Sequence, residues 1–434
     1  MIISEFLVIA MFIVFILLLF TGFPIPFVLA GVAILFTGIG HLADNYLGAT
    51  TGLGWDYIGM ISNRIYKLVD NWVLVAVPMF IFMGLMLDRS GIAEKMMDSF
   101  QELFRKLRGG LGVNVIFIGI ILAASTGIIG ASVVLLSLLS LPAMLNQGYN
   151  KTLSVGIVCA SGTLGILIPP SIMLVIMADQ LGLSVGDLFM GAVFPGVILG
   201  ALYIIYVLTY SYMRPKVAPL KEDLKSLSLG MVIDVFKTIL PTTLLILAVL
   251  GSIFAGITTP TEASGVGAFG AMVLAFSNKK LNFTAIKEVV YGTFNTTAYI
   301  FGIFIGATAF ALVLRGLGGD EFIETLLGQL PFGPYGTIGI ILLTVFFLGF
   351  FLDWIEITLI ILPLLAPVIS SLNININGYG AVSNPELVWF SVLVAVGLQT
   401  SFLTPPVGLA IFYLRGVAPP EVKLIDIYKG VVPF

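Results

Sequence analysis

The chain has 434 residues, of which 59% are hydrophobic and 10% are charged, and its formal net charge is −3. A soluble globular protein has roughly 25% charged residues, so this composition predicts a polytopic membrane protein. The weakly negative charge argues against a nucleic-acid partner. A single cysteine excludes an internal disulfide. With a single histidine as well, the sequence argues against His/Cys metal sites and against Ser-His or Cys-His catalysis.

The first half contains apolar segments long enough to span a bilayer, or nearly so, at residues 3–20, 27–42, 73–87 and 188–212. The N-terminal run lacks the positive start of a signal peptide, so a retained helix is expected there. Residues 88–110 mix Lys and Arg with apolar side chains at helical spacing, which is typical of a helix lying on the membrane surface. A plain cytoplasmic loop is the alternative.

Residues 111–145 consist of an apolar arm, a centre that reads AASTGIIGAS, and a second apolar arm ending at Pro142. This order predicts a re-entrant hairpin, whose irregular tip must be buried in protein or line a cavity. One full-length helix with a small-residue packing face is the alternative.

Two apolar segments are interrupted by glycine and proline. Residues 161–179 read SGTLGILIPPSIMLVIMAD, and residues 397–414 read GLQTSFLTPPVGLAIFYL. The interruptions would break a helix in water and are tolerated in a bilayer only where other groups satisfy the freed backbone. Two such segments in corresponding positions of two halves are the best sequence indication of a transporter's binding site. An ordinary Pro-kinked helix is the alternative for each copy.

The second half repeats the first across a charged linker at residues 214–237. Residues 349–368 correspond to the first hairpin, with Pro367 in the place of Pro142. A self-similarity of about 230 residues predicts a duplicated unit. Lys and Arg at 89–108, in the linker and at 279–280 place those segments in the cytoplasm, whereas the acidic segment after Arg315 is expected outside. The predicted fold is therefore all-α, with two inverted repeats that each contain a re-entrant helical hairpin and a broken helix.

Five parts follow from this division. Residues 1–110 are a first scaffold part with a surface arm, and residues 111–187 are a first transport part. Residues 188–348 are a second scaffold part with the linker and a second arm, and residues 349–416 are a second transport part. Residues 417–434 are a C-terminal segment. By symmetry one more helix should follow, so we expect that the sequence is truncated or that this helix is absent.

The hairpin tips and helix breaks are rich in hydroxyls and free carbonyls, which suit Na⁺ better than a transition metal. One Na⁺ site is predicted among Ser125, Thr126, Gly127, Ser161, Gly162 and Thr163. A second is predicted among Asp353, Gln399, Thr400, Ser401 and Thr404. Substrate contacts are predicted for Ser125, Ser132, Pro169, Pro170, Ser171, Glu356, Pro405 and Pro406, and structural roles at hairpins or breaks for Gly130, Gly165, Pro142 and Pro367.

Asp353 and Glu356 are functional candidates in their own right, because a carboxylate inside a membrane is costly and functional by default. A solvated position near the interface is the alternative for both.

The motifs LAASTGIIGAS, LSLPAMLNQGYNKTLSVG, ASGTLGILIPPSI and LTPPVGLAIF, with a surface helix ending LRGGLG, resemble the large membrane subunit of tripartite ATP-independent periplasmic (TRAP) transporters over essentially the whole chain. ASTGIIGAS, GTLGILIPPSI and RGLGGDEF are similar to the branch labelled for mannitol, chloroaromatic compounds and 2-oxo or 2-hydroxy acids.

The resemblance implies an elevator-type, Na⁺-coupled importer of a small organic acid, for example a 2-oxo acid, a 2-hydroxy acid or a C4-dicarboxylate. It implies a multi-pass protein of a bacterial or archaeal cytoplasmic (inner) membrane, embedded in the lipid bilayer. Its partners would be a small four-helix TRAP membrane subunit and a periplasmic substrate-binding protein, both on separate chains.

A stand-alone Na⁺/carboxylate symporter or antiporter of the wider ion-transporter group is the nearest alternative, since such proteins also use inverted repeats and paired hairpins. An intramembrane enzyme is not expected, because the spans lack a catalytic constellation. A purely structural subunit would not explain two broken helices.

Overall fold

A computed structural model describes residues 2–104, 106–126, 129–220, 229–372, 374–376, 382–405 and 408–434. Within these ranges every regular element is helical. The first half contains α1 (Ile2–Leu19), α2 (Ile25–Leu47), α3 (Trp55–Val69), α4 (Ala76–Arg89), α5 (Ile92–Phe104), α6 (Gly110–Thr126), α7 (Ile129–Asn146), α8 (Lys151–Thr163), α9 (Ile172–Leu181) and α10 (Val185–Met213). The second half contains α11 (Leu229–Phe254), α12 (Pro260–Ser277), α13 (Phe283–Gly316), α14 (Gly319–Gly328), α15 (Gly333–Leu348), α16 (Trp354–Glu356), α17 (Leu362–Ser371), α18 (Pro385–Ser401), α19 (Leu409–Val417) and α20 (Leu424–Val431).

Seven helical segments of the described chain are long and apolar enough to cross a membrane. The predicted spans are present, and their ends differ by a few residues from the sequence-based bounds. For instance, α2 continues to Leu47, five residues past the expected end at residue 42. The two predicted arms are amphipathic helices. In α5 the side chains of Ile92, Met96 and Phe100 are buried and the helix packs on α6 and α11, and the shorter α14 packs on α13 and α17.

Two hairpins are present, but the second begins earlier than predicted, because residues 349–368 cover only its tip and most of its second arm. The first has α6 and α7 as its arms, and the second has α15 as one arm and α16, a π-helical segment (Ile357–Ile361) and α17 as the other. The expectation that the second arm ends at Pro142 is wrong, because α7 continues to Asn146, and Pro367 likewise lies inside α17. Proline is tolerated there because neighbouring groups in a membrane protein can satisfy the freed carbonyl.

The structure also shows where two of the predicted part boundaries fall. The division after residue 348 falls at the tip of the second hairpin, since the first arm α15 starts at Gly333. The division after residue 187 cuts α10 near its start, and α10 packs on α6, α9 and α18. This helix therefore lies against the first hairpin and both broken helices.

Both apolar segments with the Pro-Pro motif are discontinuous helices, as predicted. In the first, α8 ends at Thr163, a 3₁₀ turn (Leu164–Ile166) follows, and α9 begins only after the two prolines. In the second, α18 ends at Ser401 and α19 begins at Leu409.

The two repeats exchange contacts at these breaks. The first half of each broken helix packs on the hairpin of its own repeat, with α8 against α6 and α7, and α18 against α15 and α17. The second half of each crosses over, because α9 packs on the π-helical segment and α17, while α19 packs on α7. The breaks and hairpins therefore form one interdigitated body in the middle of the protein.

Helix ends that the charge pattern places on the same side of the membrane do contact one another. On the Lys/Arg-rich side, Arg89 pairs with Glu288 at 3.1 Å and Lys95 Nζ donates to Asn278 Oδ1 at 2.6 Å. On the other side, Thr261 Oγ1 donates to the carbonyl of Trp72 at 2.9 Å. The packing is thus consistent with the predicted sidedness.

Candidate functional site at the helix breaks

The first break is held against the first hairpin by close backbone approach. A Cβ at Gly162 would lie 2.4 Å from Val133 Cγ2 and 3.0 Å from Val133 Cα, and a Cβ at Gly119 would lie 2.6 Å from Ser161 Cβ. Only glycine fits these positions, because the neighbours include backbone atoms of Val133 and Ser161 that cannot rotate away. Both arms of the hairpin therefore touch the break.

The hydroxyls of this break are oriented by their own helix. Ser161 Oγ donates to Ile157 O at 2.6 Å, and Thr163 Oγ1 donates to Ala160 O at 3.0 Å. Each oxygen keeps acceptor lone pairs, so each could still accept from a donor or coordinate a cation. Ser171 Oγ, beyond the prolines, donates to Ile166 O at 2.6 Å and closes the break.

The second break is tied to the second hairpin in the same way. Ser401 Oγ donates to Phe346 O on α15 at 2.8 Å. A Cβ at Gly349, in the hairpin tip, would lie 2.5 Å from Ser401 Oγ. The hydroxyls of Thr400 and Thr404 donate to carbonyls of their own segment, at 3.0 and 2.9 Å, and both are exposed. Ser401 is thus the hydroxyl that joins this break to the hairpin.

Gln399 connects the two broken helices. Its Nε2 donates to Thr163 Oγ1 at 3.0 Å and to Tyr203 OH on α10 at 2.7 Å, and its side chain is only 1% exposed. Thr163 and Gln399 are predicted from the sequence to belong to two different Na⁺ sites, whereas in the structure a hydrogen bond joins them directly. Tyr203 is not among the site residues predicted from the sequence, although a tyrosine hydroxyl inside an apolar span needs a hydrogen-bond partner.

The second hairpin brings two carboxyl groups into the interior. Asp353 caps the start of α16, where its Oδ1 accepts from Trp354 N at 2.7 Å. Glu356 is 0% exposed, and in the described part of the protein neither of its carboxylate oxygens has a hydrogen-bond partner. This burial excludes the solvated, interfacial position for Glu356. The Thr358 hydroxyl is also unpartnered within the same ranges, and it lies in the π-helical segment, a distortion that often marks functional sites.

Two tyrosines lie near these carboxyl groups. Tyr299 on α13 and Tyr413 on α19 are both within electrostatic range of Asp353 and Glu356. The Tyr413 ring also covers Gly130 of the first hairpin, where a Cβ would lie 3.0 Å from the ring. Tyr413 therefore spans the distance between the two hairpins, and neither tyrosine was predicted from the sequence.

The remaining predicted residues divide into two groups. Gly127 and Pro406 lie outside the described residues, as do the side chains of Ser125 and Thr126. Ser132, Gly165, Pro169 and Pro170 are buried next to the first break, and Pro405 is half-buried beside the second. Among the described residues the ion pairs are Arg89–Glu288, Lys151–Glu421 and Arg315–Asp320, and none of them involves Asp353 or Glu356.

A cleft of about 840 Å³ separates the first hairpin from the peripheral helices on the Lys/Arg-rich side. Ala131, Val134 and Leu135 of α7 form one wall. The opposite wall comes from the end of α4 and the start of α13, including Asp88 and Glu288. At this end α7 is thus separated from the ends of α4 and α13, while α6 remains in contact with α5.

The described residues contain paired hairpins, two crossed broken helices, buried carboxyl groups and seven helices long and apolar enough to cross a membrane, and together these define a multi-pass membrane transporter. The sequence matches the family described as "Tripartite ATP-independent periplasmic transporter, DctM component" over residues 12–434. The chain belongs to this family, and it is a transporter subunit of the inner membrane and not an enzyme.

Similar curated proteins are TRAP permeases. The chain is 28% identical to the isethionate TRAP transporter permease protein DctMQ of Oleidesulfovibrio alaskensis, over 95% of this chain and 62% of that protein. It is 28% identical to the C4-dicarboxylate TRAP transporter large permease protein DctM of Pseudomonas aeruginosa, over 83% of this chain and 81% of the relative. It is 27% identical to the sialic acid TRAP transporter large permease protein SiaM of Vibrio cholerae, over 96% of this chain and 90% of that protein. The chain thus spans less than two thirds of the DctMQ protein.

The fold is also similar to the crystal structure of the Alcanivorax borkumensis YdaH transporter, described as having an unusual topology. The TM-score is 0.58 at 13% identity, over 86% of this chain and 84% of that one. At this identity the similarity concerns the fold alone.

Proposed function

We propose that this chain is the transport subunit of a TRAP system that imports a small organic acid by coupling its movement to Na⁺. The observation that carries the proposal is the crossed arrangement of the broken helices, tied together by the Gln399 side chain. In this arrangement the helix ends, the freed carbonyls and the hydroxyls of both repeats meet in one place. Half-helix N-termini favour a carboxylate there, and carbonyl and hydroxyl oxygens favour Na⁺.

The chain's own residues provide hard oxygen donors for Na⁺. At the first break the donors are the Ser161 and Thr163 hydroxyls, which keep free lone pairs, and Ser125, Thr126 and Gly127 of the tip are proposed with them. At the second break they are Asp353 and the Ser401 hydroxyl, with Thr400 and Thr404. Because the carboxyl groups of Asp353 and Glu356 form no ion pair among the described side chains, a bound cation would balance their charge.

The movement proposed is that of an elevator, in which the hairpins and broken helices move as one body against the peripheral helices. The cleft supports this, because it lies between α7 of that body and the ends of α4 and α13. The cleft is on the side that the positive-inside rule places in the cytoplasm, so it would be the route by which substrate leaves.

The proposed partners are a small membrane subunit and a periplasmic substrate-binding protein. The TRAP family membership supports both, since the family is described as tripartite and periplasmic. The substrate class proposed is a carboxylate, such as a 2-oxo acid, a 2-hydroxy acid or a C4-dicarboxylate. The relatives named for isethionate, C4-dicarboxylate and sialic acid all carry an acidic substrate in their names.

Uptake into proteoliposomes tests this proposal. The chain is reconstituted with its small subunit and binding protein, and accumulation of 2-oxo acids, lactate and C4-dicarboxylates is measured with and without an inward Na⁺ gradient. Accumulation that needs both Na⁺ and the binding protein supports the proposal. Na⁺-driven uptake without the binding protein would favour the stand-alone symporter, and uptake that is independent of Na⁺ would contradict the coupling.

A further inference from the structure

A hydrogen bond joins the first broken helix to a peripheral helix at the end opposite the cleft. Asn71 immediately precedes the 3₁₀ turn (Trp72–Val75) that leads into α4, and Asp179 lies in the last turns of α9. Asn71 Nδ2 donates to Asp179 Oδ1 at 2.5 Å. The two residues are 108 positions apart in sequence, so this contact links separate parts of the molecule.

Both side chains are held in place by other hydrogen bonds. Asn71 Oδ1 accepts from Val73 N at 3.0 Å, which fixes the amide so that its NH₂ group faces Asp179. Asp179 Oδ2 accepts from Gln180 Nε2 at 2.9 Å. The Thr261 hydroxyl on α12 donates to Trp72 O and anchors the turn that carries Asn71. The donor is therefore fixed to the peripheral helices and the acceptor to the broken helix.

Asp179 is an unfavourable residue for its position. A carboxylate near the C-terminus of a helix is repelled by the negative end of the helix dipole. Gln180 of the same helix supplies one donor to this carboxylate, and Asn71 supplies a donor from outside the helix. Because Asn71 stabilises the Asp179 carboxylate, a conformation that contains this hydrogen bond is more favourable than one in which it is broken.

The two ends of α4 differ in their contacts. At its start, α4 and the preceding turn pack against α9. At its end, about 20 Å away for a 14-residue helix, Asp88 and Arg89 face α7 across the 840 Å³ cleft. The broken helix α9 thus touches α4 on the Asn71 side, whereas on the Arg89 side the cleft separates α7 of the hairpin from the ends of α4 and α13, and α6 still contacts α5.

We propose that the Asn71–Asp179 hydrogen bond is a latch that holds the transporter closed on its outer side and open to the cytoplasm. The proposal rests on the alternating movement proposed above and on the sidedness given by the Lys/Arg pattern. When the transport body moves to face outward, the latch breaks and both groups are solvated. A hydrogen bond to a charged group shifts the equilibrium between the cytoplasm-facing and outward-facing conformations by roughly tenfold or more.

Cysteine labelling in inside-out membrane vesicles tests the latch. Val134→Cys places a reporter on the cleft wall, and the natural Cys159 is 0% exposed and serves as an unreactive background. A membrane-impermeant maleimide then reports how often the cleft is open to the cytoplasm. The measurement needs no Na⁺ and no substrate, so its result is independent of the transport assay.

Asn71→Asp places a second carboxylate against Asp179 while it keeps the acceptor for Val73 N. We expect labelling of the reporter to slow by about tenfold, because like charges at this distance repel and the closed outer side is lost. The exchanged pair, Asn71→Asp with Asp179→Asn, recreates a donor and an acceptor and is expected to restore labelling. Ser277→Ala removes an exposed hydroxyl bond within α12, from Ser277 Oγ to Val273 O, and is expected to leave labelling unchanged.

Unchanged labelling in Asn71→Asp would overturn the latch. Slow labelling in the exchanged pair would also overturn it, since that result would reflect damage to the fold and not loss of the bond. A restored rate shows that slow labelling of the single variant arises at the contact between the two positions, because damage elsewhere in the fold would persist in the exchanged pair.

Discussion

Replacing Gln399 with leucine tests whether this side chain ties the two repeats together. Gln399→Leu keeps the approximate size of the side chain but removes the hydrogen bonds to Thr163 and Tyr203. Interhelical hydrogen bonds in a membrane protein contribute about 0.6 kcal/mol on average and roughly 1.7 kcal/mol at most. Two such bonds give an expected loss of about 1.2 kcal/mol in the free energy of unfolding, with an upper value of roughly 3.4 kcal/mol.

Titration with a denaturing detergent measures this loss. Tyr203→Phe removes one of the two bonds and is expected to lower the free energy of unfolding by about 0.6 kcal/mol, half of the Gln399→Leu effect. Thr344→Val is the matched control, because the Thr344 hydroxyl is exposed and donates to Ile340 O of its own helix. A Gln399→Leu protein as stable as the control, with unchanged uptake, would refute the argument that this bridge holds the breaks together.

Two other changes probe the breaks and the buried carboxyl group. Gly162→Ala forces a methyl group against Val133 and should lower the free energy of thermal unfolding by about 1–3 kcal/mol. Gly397→Ala is the control, because no atom lies within 4 Å of its Cβ, and it should be neutral or stabilising. Equal stability of the two variants would contradict the close approach of Gly162 to Val133. Glu356→Gln keeps the shape and removes an unpartnered buried charge. It should raise the thermal midpoint and abolish Na⁺-driven uptake, and full uptake would show that this carboxyl group is not part of the site.

The hairpins and broken helices could be predicted from the sequence because their signals are local. Apolar runs interrupted by Gly, Pro and hydroxyl residues leave few alternatives in a bilayer, and the duplication shows each pattern twice. The helix ends were less accurate. Pro142 and Pro367 suggested ends of the hairpin arms, but helices continue past both prolines, since membrane helices can absorb a proline that would end a soluble helix.

The contacts within the site could not be predicted in the same way. Gln399 and Tyr203 are 196 residues apart, and the sequence gives the face of each helix but not which faces meet. Hence Gln399 was assigned to one Na⁺ site and Thr163 to another, and the structure joins them. Tyr299 and Tyr413 were overlooked because aromatic residues are common in apolar spans, and only their position near Asp353 and Glu356 distinguishes them.

The most direct test of the account is the Na⁺ dependence of substrate accumulation in proteoliposomes that contain the chain and its two partners. An inward Na⁺ gradient with an inside-negative potential should drive uptake, because each charge that moves down 100 mV releases about 2.3 kcal/mol. The account predicts accumulation above the external concentration that disappears when choline replaces Na⁺ and when the binding protein is omitted. Equal accumulation in choline would contradict the central claim that the broken helices couple organic acid import to Na⁺.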